Sequence, residues 1–168
     1  MPGTPDPVLG SDALTLAVAA LGGVAVVGLL VLFERGDSLL GSHGGVLAAG
    51  TGYGIGFTLL WAGVLVAFRP HLLPDSGYWL VALAPVVVGL QAAIPLYGYA
   101  RWRLVLPIVA LGPLTALVFW LVLRVGGESD GYLLYVFLGS AYALPGLLVL
   151  TGIELGVREL RARSGGDA

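Results

Sequence analysis

The chain of 168 residues contains no cysteine and no lysine, and only 11% of its residues are charged. Without thiols there is no disulfide, no Cys-ligated metal cluster and no thiolate nucleophile, and without lysine there is no Schiff base. Soluble domains carry about 25% charged residues, whereas this chain combines little charge with 58% hydrophobic residues and a mean hydropathy of +0.96. That composition excludes a disordered chain. A net charge of −2 with no basic stripe excludes a nucleic-acid partner.

Long apolar runs take the place of charge. Five stretches of 20 to 25 residues are free of Asp, Glu, Arg and His, and a spanning helix needs about 20. The predicted fold is all-α, a polytopic membrane protein built as an up-down bundle of five transmembrane helices. The spans fall near 13–33, 45–68, 78–99, 104–125 and 132–157, between an extracytoplasmic tail, 1–12, and a cytoplasmic tail, 158–168. The runs are continuously apolar rather than alternating, which excludes a membrane β-barrel. The first run follows a tail with Asp6 and Asp12 and no basic residue, so it reads as a permanent span, not a signal peptide. Short connections predict that sequential helices lie antiparallel and adjacent.

Arginine sets the expected orientation. Arg35, Arg101, Arg103, Arg158, Arg161 and Arg163 fall on one side of the five spans, and Arg69 and Arg124 on the other. Basic residues resist translocation, so the N-terminus is expected outside the cell membrane and the C-terminus in the cytoplasm. Tyr78, Trp79, Tyr97, Tyr99, Trp102, Tyr132 and Tyr135 stand at span boundaries, where amphipathic rings favour headgroup depth. Arg101, Arg103, Arg158, Arg161 and Arg163 also make a basic cluster able to face anionic lipid, although the topology rule alone accounts for it.

The second run carries Gly50-Thr51-Gly52-Tyr53-Gly54-Ile55-Gly56. A dinucleotide loop needs a third glycine at a spacing this run lacks, and a preceding strand. A potassium filter needs one more residue than Thr51-Gly52-Tyr53-Gly54 supplies, and a full span after it. Helix packing remains: Gly50 with Gly54, and Gly52 with Gly56 and Gly63, form small-residue stripes that let backbones approach. Gly139, Ala143 and Gly146 form a matching stripe in the fifth run. Prolines interrupt the later runs, and Pro95 and Pro113 are the expected kinks.

Polar residues inside spans are expensive and therefore informative. Gln91 and Tyr142 are the candidates for a polar interior, with Thr51, Thr58, Thr115 and Ser140 able to bond their own helices. Glu154 precedes Arg158 by four residues, the spacing of a surface ion pair. His43 and His71 fall on opposite sides of the membrane, so they cannot share a haem or metal. Neither Glu34 and Asp37 near His43 nor Asp75 near His71 completes a catalytic set, and no catalytic, cofactor or metal motif is present.

In its replacement of Lys by Arg, its Ala, Gly, Val and Leu bulk and its acidic outer loops (Asp75, Glu128, Asp130), the whole chain resembles small multi-spanning membrane proteins of salt-loving archaea or other GC-rich prokaryotes. The resemblance is one of composition and implies a setting, not an activity. The expected function is that of a non-enzymatic accessory or structural subunit without a cofactor, packing through its small-residue faces. Its expected partners are membrane lipids and either another protein or further copies of itself. The alternative is a small transporter or pore formed by a homo-oligomer, with Gln91, Tyr142 and the kinks at Pro95 and Pro113 lining the path.

Overall fold

A computed structural model describes residues 6–35, 43–68, 78–125 and 130–164. Asp37, Arg69, His71, Asp75 and Glu128 lie outside the described residues. Among the described residues the fold is all-α apart from one short antiparallel bridge. In chain order the elements are β1 (Asp6–Pro7), α1 (Asp12–Arg35), α2 (His43–Phe68), α3 (Tyr78–Trp102), α4 (Leu106–Val122), β2 (Arg124–Val125) and α5 (Gly131–Ser164). In a medium without water, backbone groups must bond within their own segment, which is why continuously apolar runs form helices. Helices α1, α2, α3 and α5 are long and apolar enough to cross a membrane.

Helix α4 is shorter than its apolar run. Its 17 residues rise about 25 Å, against a hydrocarbon core of about 30 Å. The sequence boundaries of 104–125 contract at both ends for identifiable reasons. Leu104 and Val105 belong to the turn after α3, where Arg103 adopts the left-handed φ of 56°. At the other end Arg124 and Val125 leave the helix to pair with Pro7 and Asp6, and the Val8 N–H bonds the Leu123 carbonyl at 2.9 Å. The described part of the N-terminal tail is thereby tied to the end of α4. Helix α5 runs beyond its predicted end at 157, to Ser164, carrying the i,i+4 pairs Glu154–Arg158 and Glu159–Arg163.

The helices do not pack in simple sequence order. Helix α2 packs chiefly on α3, and α1 packs along α4 while making little contact with α2. Glycine explains both pairings. A methyl group built on Gly50 would stand 2.8 Å from the Ala93 Cβ, and one on Gly54 would overlap the Pro85 carbonyl. On α1, a methyl at Gly23 would lie 2.6 Å from the Gly112 carbonyl, and one at Gly22 would strike the Phe119 ring. Lipid tails are as apolar as leucine, so close backbone approach of this kind decides which helices associate. Helix α5 lies against α3 and α4, closing a core of Val88, Ala92, Leu96, Ile108, Leu111, Val118 and Val136.

One turn of α5 is wound differently. Residues Tyr135–Gly139 form a π turn, in which the Ser140 N–H bonds the Tyr135 carbonyl five residues back. The Ser140 hydroxyl bonds the Val136 carbonyl, satisfying an acceptor within the widened turn. A π turn inserts one residue into the helical count, so every later side chain is rotated by roughly 100° from its straight-helix position.

Candidate functional site

Six polar residues of the helices, Tyr53, Thr58, Gln91, Thr115, Tyr132 and Tyr135, meet inside the bundle. From α2, the Tyr53 hydroxyl meets the Thr115 hydroxyl of α4 at 2.9 Å. Five residues on, the Thr58 hydroxyl donates to the Gly54 carbonyl at 2.9 Å and lies 3.1 Å from the Tyr132 hydroxyl of α5. From α3, Gln91 accepts at Oε1 from the Tyr135 hydroxyl at 2.8 Å. Helices α2, α3, α4 and α5 are thus joined by three side-chain bonds, and Gln91, Thr115 and Tyr132 are fully buried.

Rings fill the space between these bonds. Tyr53 packs on Phe57 at 4.9 Å, and Phe57 meets Phe119 of α4 edge-on at 4.7 Å. Near the bundle end, Trp61 lies over Tyr132 at 5.5 Å and donates from its indole N–H to Asp130 at 2.8 Å. The other carboxylate oxygen of Asp130 accepts from the Leu133 N–H at 3.0 Å, capping the start of α5. One carboxylate therefore starts a helix and anchors its neighbour. From Tyr53 to Trp61 this polar and aromatic face rises about 12 Å along α2.

Chemically the cluster consists of hydroxyls, one amide and no acid–base pair. Among the described residues no group of three His, Asp or Glu side chains could hold a metal ion. One donor is left over: Gln91 Nε2 is buried without a hydrogen-bond partner.

The sequence candidates are distributed differently from expectation. Gln91 is central, but Tyr142 is 81% exposed on the outer face of α5. The π turn is the cause, because the inserted residue carries Tyr142 outward and brings Ser140 and Leu147 inward, where both are buried. The partner of Gln91 is Tyr135, which the sequence marks only as a boundary aromatic. Of the glycines, Gly50 and Gly54 meet α3, whereas methyls built on Gly52, Gly56, Gly63 and Gly146 would meet open space. A methyl on Gly139 would overlap the ring of Tyr135 in its own helix, and Ala143 is half-buried. The α2 and α5 stripes therefore do not meet. Beside Gly50 and Gly54, the glycines in tight contact with a neighbouring helix include Gly22, Gly23 and Gly89; the adjacent Gly22-Gly23 pair was the available signal.

At the opposite end of the bundle, Glu154 and Arg158 act as a staple. Glu154 accepts from the backbone N–H of Val105 at 3.0 Å and of Leu106 at 2.8 Å, capping α4, which has no side-chain cap of its own. Arg158 donates to the carbonyls of Trp102 and Arg103, both at 2.7 Å, and to Glu154 at 2.6 Å. Arg103 also stands over the Tyr99 ring at 5.6 Å. The pair thus holds the end of α3 and the start of α4, and the π turn points it there. Of the basic cluster, Arg158 is committed to this staple and Arg163 pairs with Glu159, while Arg101, Arg103 and Arg161 are exposed.

No protein-family model matches this chain, and no curated protein or solved structure is significantly similar to it.

Proposed function

We propose that the chain is an integral protein of the cell membrane with five spans, its N-terminus outside and its C-terminus in the cytoplasm, serving as a non-enzymatic accessory or structural subunit. The fifth span is α4, whose helix is short but flanked by Leu104, Val105 and Leu123. Orientation rests on the arginine distribution between the two sides.

The observation carrying the functional reading is the direct bond from Tyr135 to Gln91. The most polar residue within the spans meets a neighbouring helix, and the grooves between α1, α2 and α4 and between α2, α3 and α5 are apolar and open outward. Such bonds hold helices in register at about 0.6 kcal/mol each on average. Many large apolar side chains stand exposed, among them Leu21, Val24, Leu59, Val109, Leu148 and Leu160, offering surface to lipid and to another protein.

A second reading, a small homo-oligomeric transporter or pore, draws on the unpartnered Gln91 Nε2. Native mass spectrometry of the tagged protein, released from its own membranes in mild detergent, separates the two. A foreign subunit in stoichiometric amount is expected. A homo-oligomer without one, retaining a small polar molecule, overturns the accessory role in favour of transport.

A further inference from the structure

We infer that the groove between α2, α3 and α5 binds one anionic phospholipid, with a hydrocarbon chain in the groove and its phosphate on Arg101. The groove encloses about 580 Å³ and is lined by Leu47, Ile94, Tyr97, Trp102, Leu148 and Leu155 among others. Its lining is almost wholly apolar and it opens to the outside of the bundle, the surroundings a hydrocarbon chain takes. Tyr97 and Trp102 meet edge-on at 5.6 Å in its wall, a pair of amphipathic rings of the kind that marks headgroup depth.

Charge selects the headgroup. Arg101 follows Ile94, Tyr97 and Gly98 by seven, four and three residues, so it continues the face of α3 that lines the groove. Arg101 is exposed, and among the described residues no acidic side chain pairs with it. Among the described residues at this end, Arg158 pairs with Glu154 and Arg163 with Glu159, while Arg161, farther along α5, is exposed without an acidic partner. Arg103, beside it, stacks on Tyr99. The uncompensated charge at the end of the groove is thus positive, and it complements a lipid phosphate that bears net negative charge.

The site rests on the membrane reading but not on the accessory role, and lipid quenching of Trp102 tests it. The full chain is reconstituted in phosphatidylcholine vesicles carrying increasing fractions of a lipid with brominated chains, either phosphatidylglycerol or phosphatidylcholine. Subtracting the signal of Trp102→Phe isolates this residue from Trp61, Trp79 and Trp120. Half-maximal quenching is expected at an about five-fold lower fraction of the anionic lipid, the size of one basic residue's attraction at a membrane surface. Arg101→Gln abolishes that preference and Arg101→Lys retains it. Gly152→Leu, placed where a Cβ meets open space, fills the groove and reduces quenching by both lipids. Equal quenching by both lipids in the wild type, or a preference untouched by Arg101→Gln, overturns the proposal. So does protection of Trp102 that grows with protein density, which would place a second copy in the groove. A chain that does not enter vesicles at all overturns the membrane reading itself.

Discussion

Single residues in this molecule act through their position in a crossing, not through their type. Gly54 and Gly52 are two residues apart on α2, yet only Gly54 faces a backbone, the Pro85 carbonyl. Gly54→Ala is expected to destabilise the bundle by about 1–3 kcal/mol through overpacking, and Gly52→Ala to stay within about 0.5 kcal/mol of wild type. Thermal unfolding in detergent reads both, and equal effects would contradict the α2–α3 crossing. Glu154 is a second such residue, because it supplies the cap that α4 lacks. Glu154→Ala is expected to cost about 1–2 kcal/mol. Arg158→Ala in the same background then costs less than in the wild type, since the two side chains act as one unit.

Among the elements, α5 carries the least expected feature. The π turn at Tyr135–Gly139 keeps Tyr132, Tyr135 and Val136 on the core side, while it turns Ser140, Leu147 and the Glu154–Arg158 staple inward after it. Removing Gly139 restores the straight count and rotates the remainder of α5 by roughly 100°. The natural absence of cysteine makes the test direct. With Tyr142→Cys as the reporter, labelling by a lipid-soluble maleimide is rapid in the full chain and slows several-fold in the deletion variant. Unchanged labelling would show that the π turn does not set the face of α5. The interhelical bond from the first residue of that turn makes a companion case. Gln91→Leu with Tyr135→Phe is expected to cost less than the sum of the single substitutions, with a coupling of about 0.6 kcal/mol and no more than about 1.7. Strictly additive unfolding energies would show the bond to be energetically empty.

For the molecule as a whole, two ends of different character follow from the fold. One end gathers β1, the end of α4 and the start of α5, with the Asp12–Arg124 pair at 2.9 Å and Arg124 over the Trp120 ring at 4.6 Å. The other gathers the end of α3, the start of α4 and the arginine-rich end of α5. Single cysteines at Ser11 and Ser164 mark these two ends. In intact cells a membrane-impermeant maleimide is expected to label Ser11→Cys, and to reach Ser164→Cys only after lysis. The reverse pattern would invert the proposed orientation, and labelling of both from one side would remove one of the five proposed spans.

What the sequence determined alone is what a bilayer acts on: run lengths, the scarcity of charge, and hence helices long and apolar enough to cross. These depend on local composition, because backbone satisfaction in lipid is settled within each helix. The sequence also marked Gln91 as a residue to account for, since an amide inside an apolar run is costly wherever it falls. Tertiary structure decided which helices meet, because apolar faces in lipid carry no preference for one another and a small-residue stripe has meaning only opposite a matching surface. Hence α1 lies on α4, Gly52 and Gly56 face outward, and Gly22, Gly23 and Gly89 build interfaces instead. The same holds for α5: one inserted residue in a π turn leaves no mark in hydropathy, yet it exchanges Tyr142 for Ser140 and Leu147 at the core and turns Glu154 toward the start of α4.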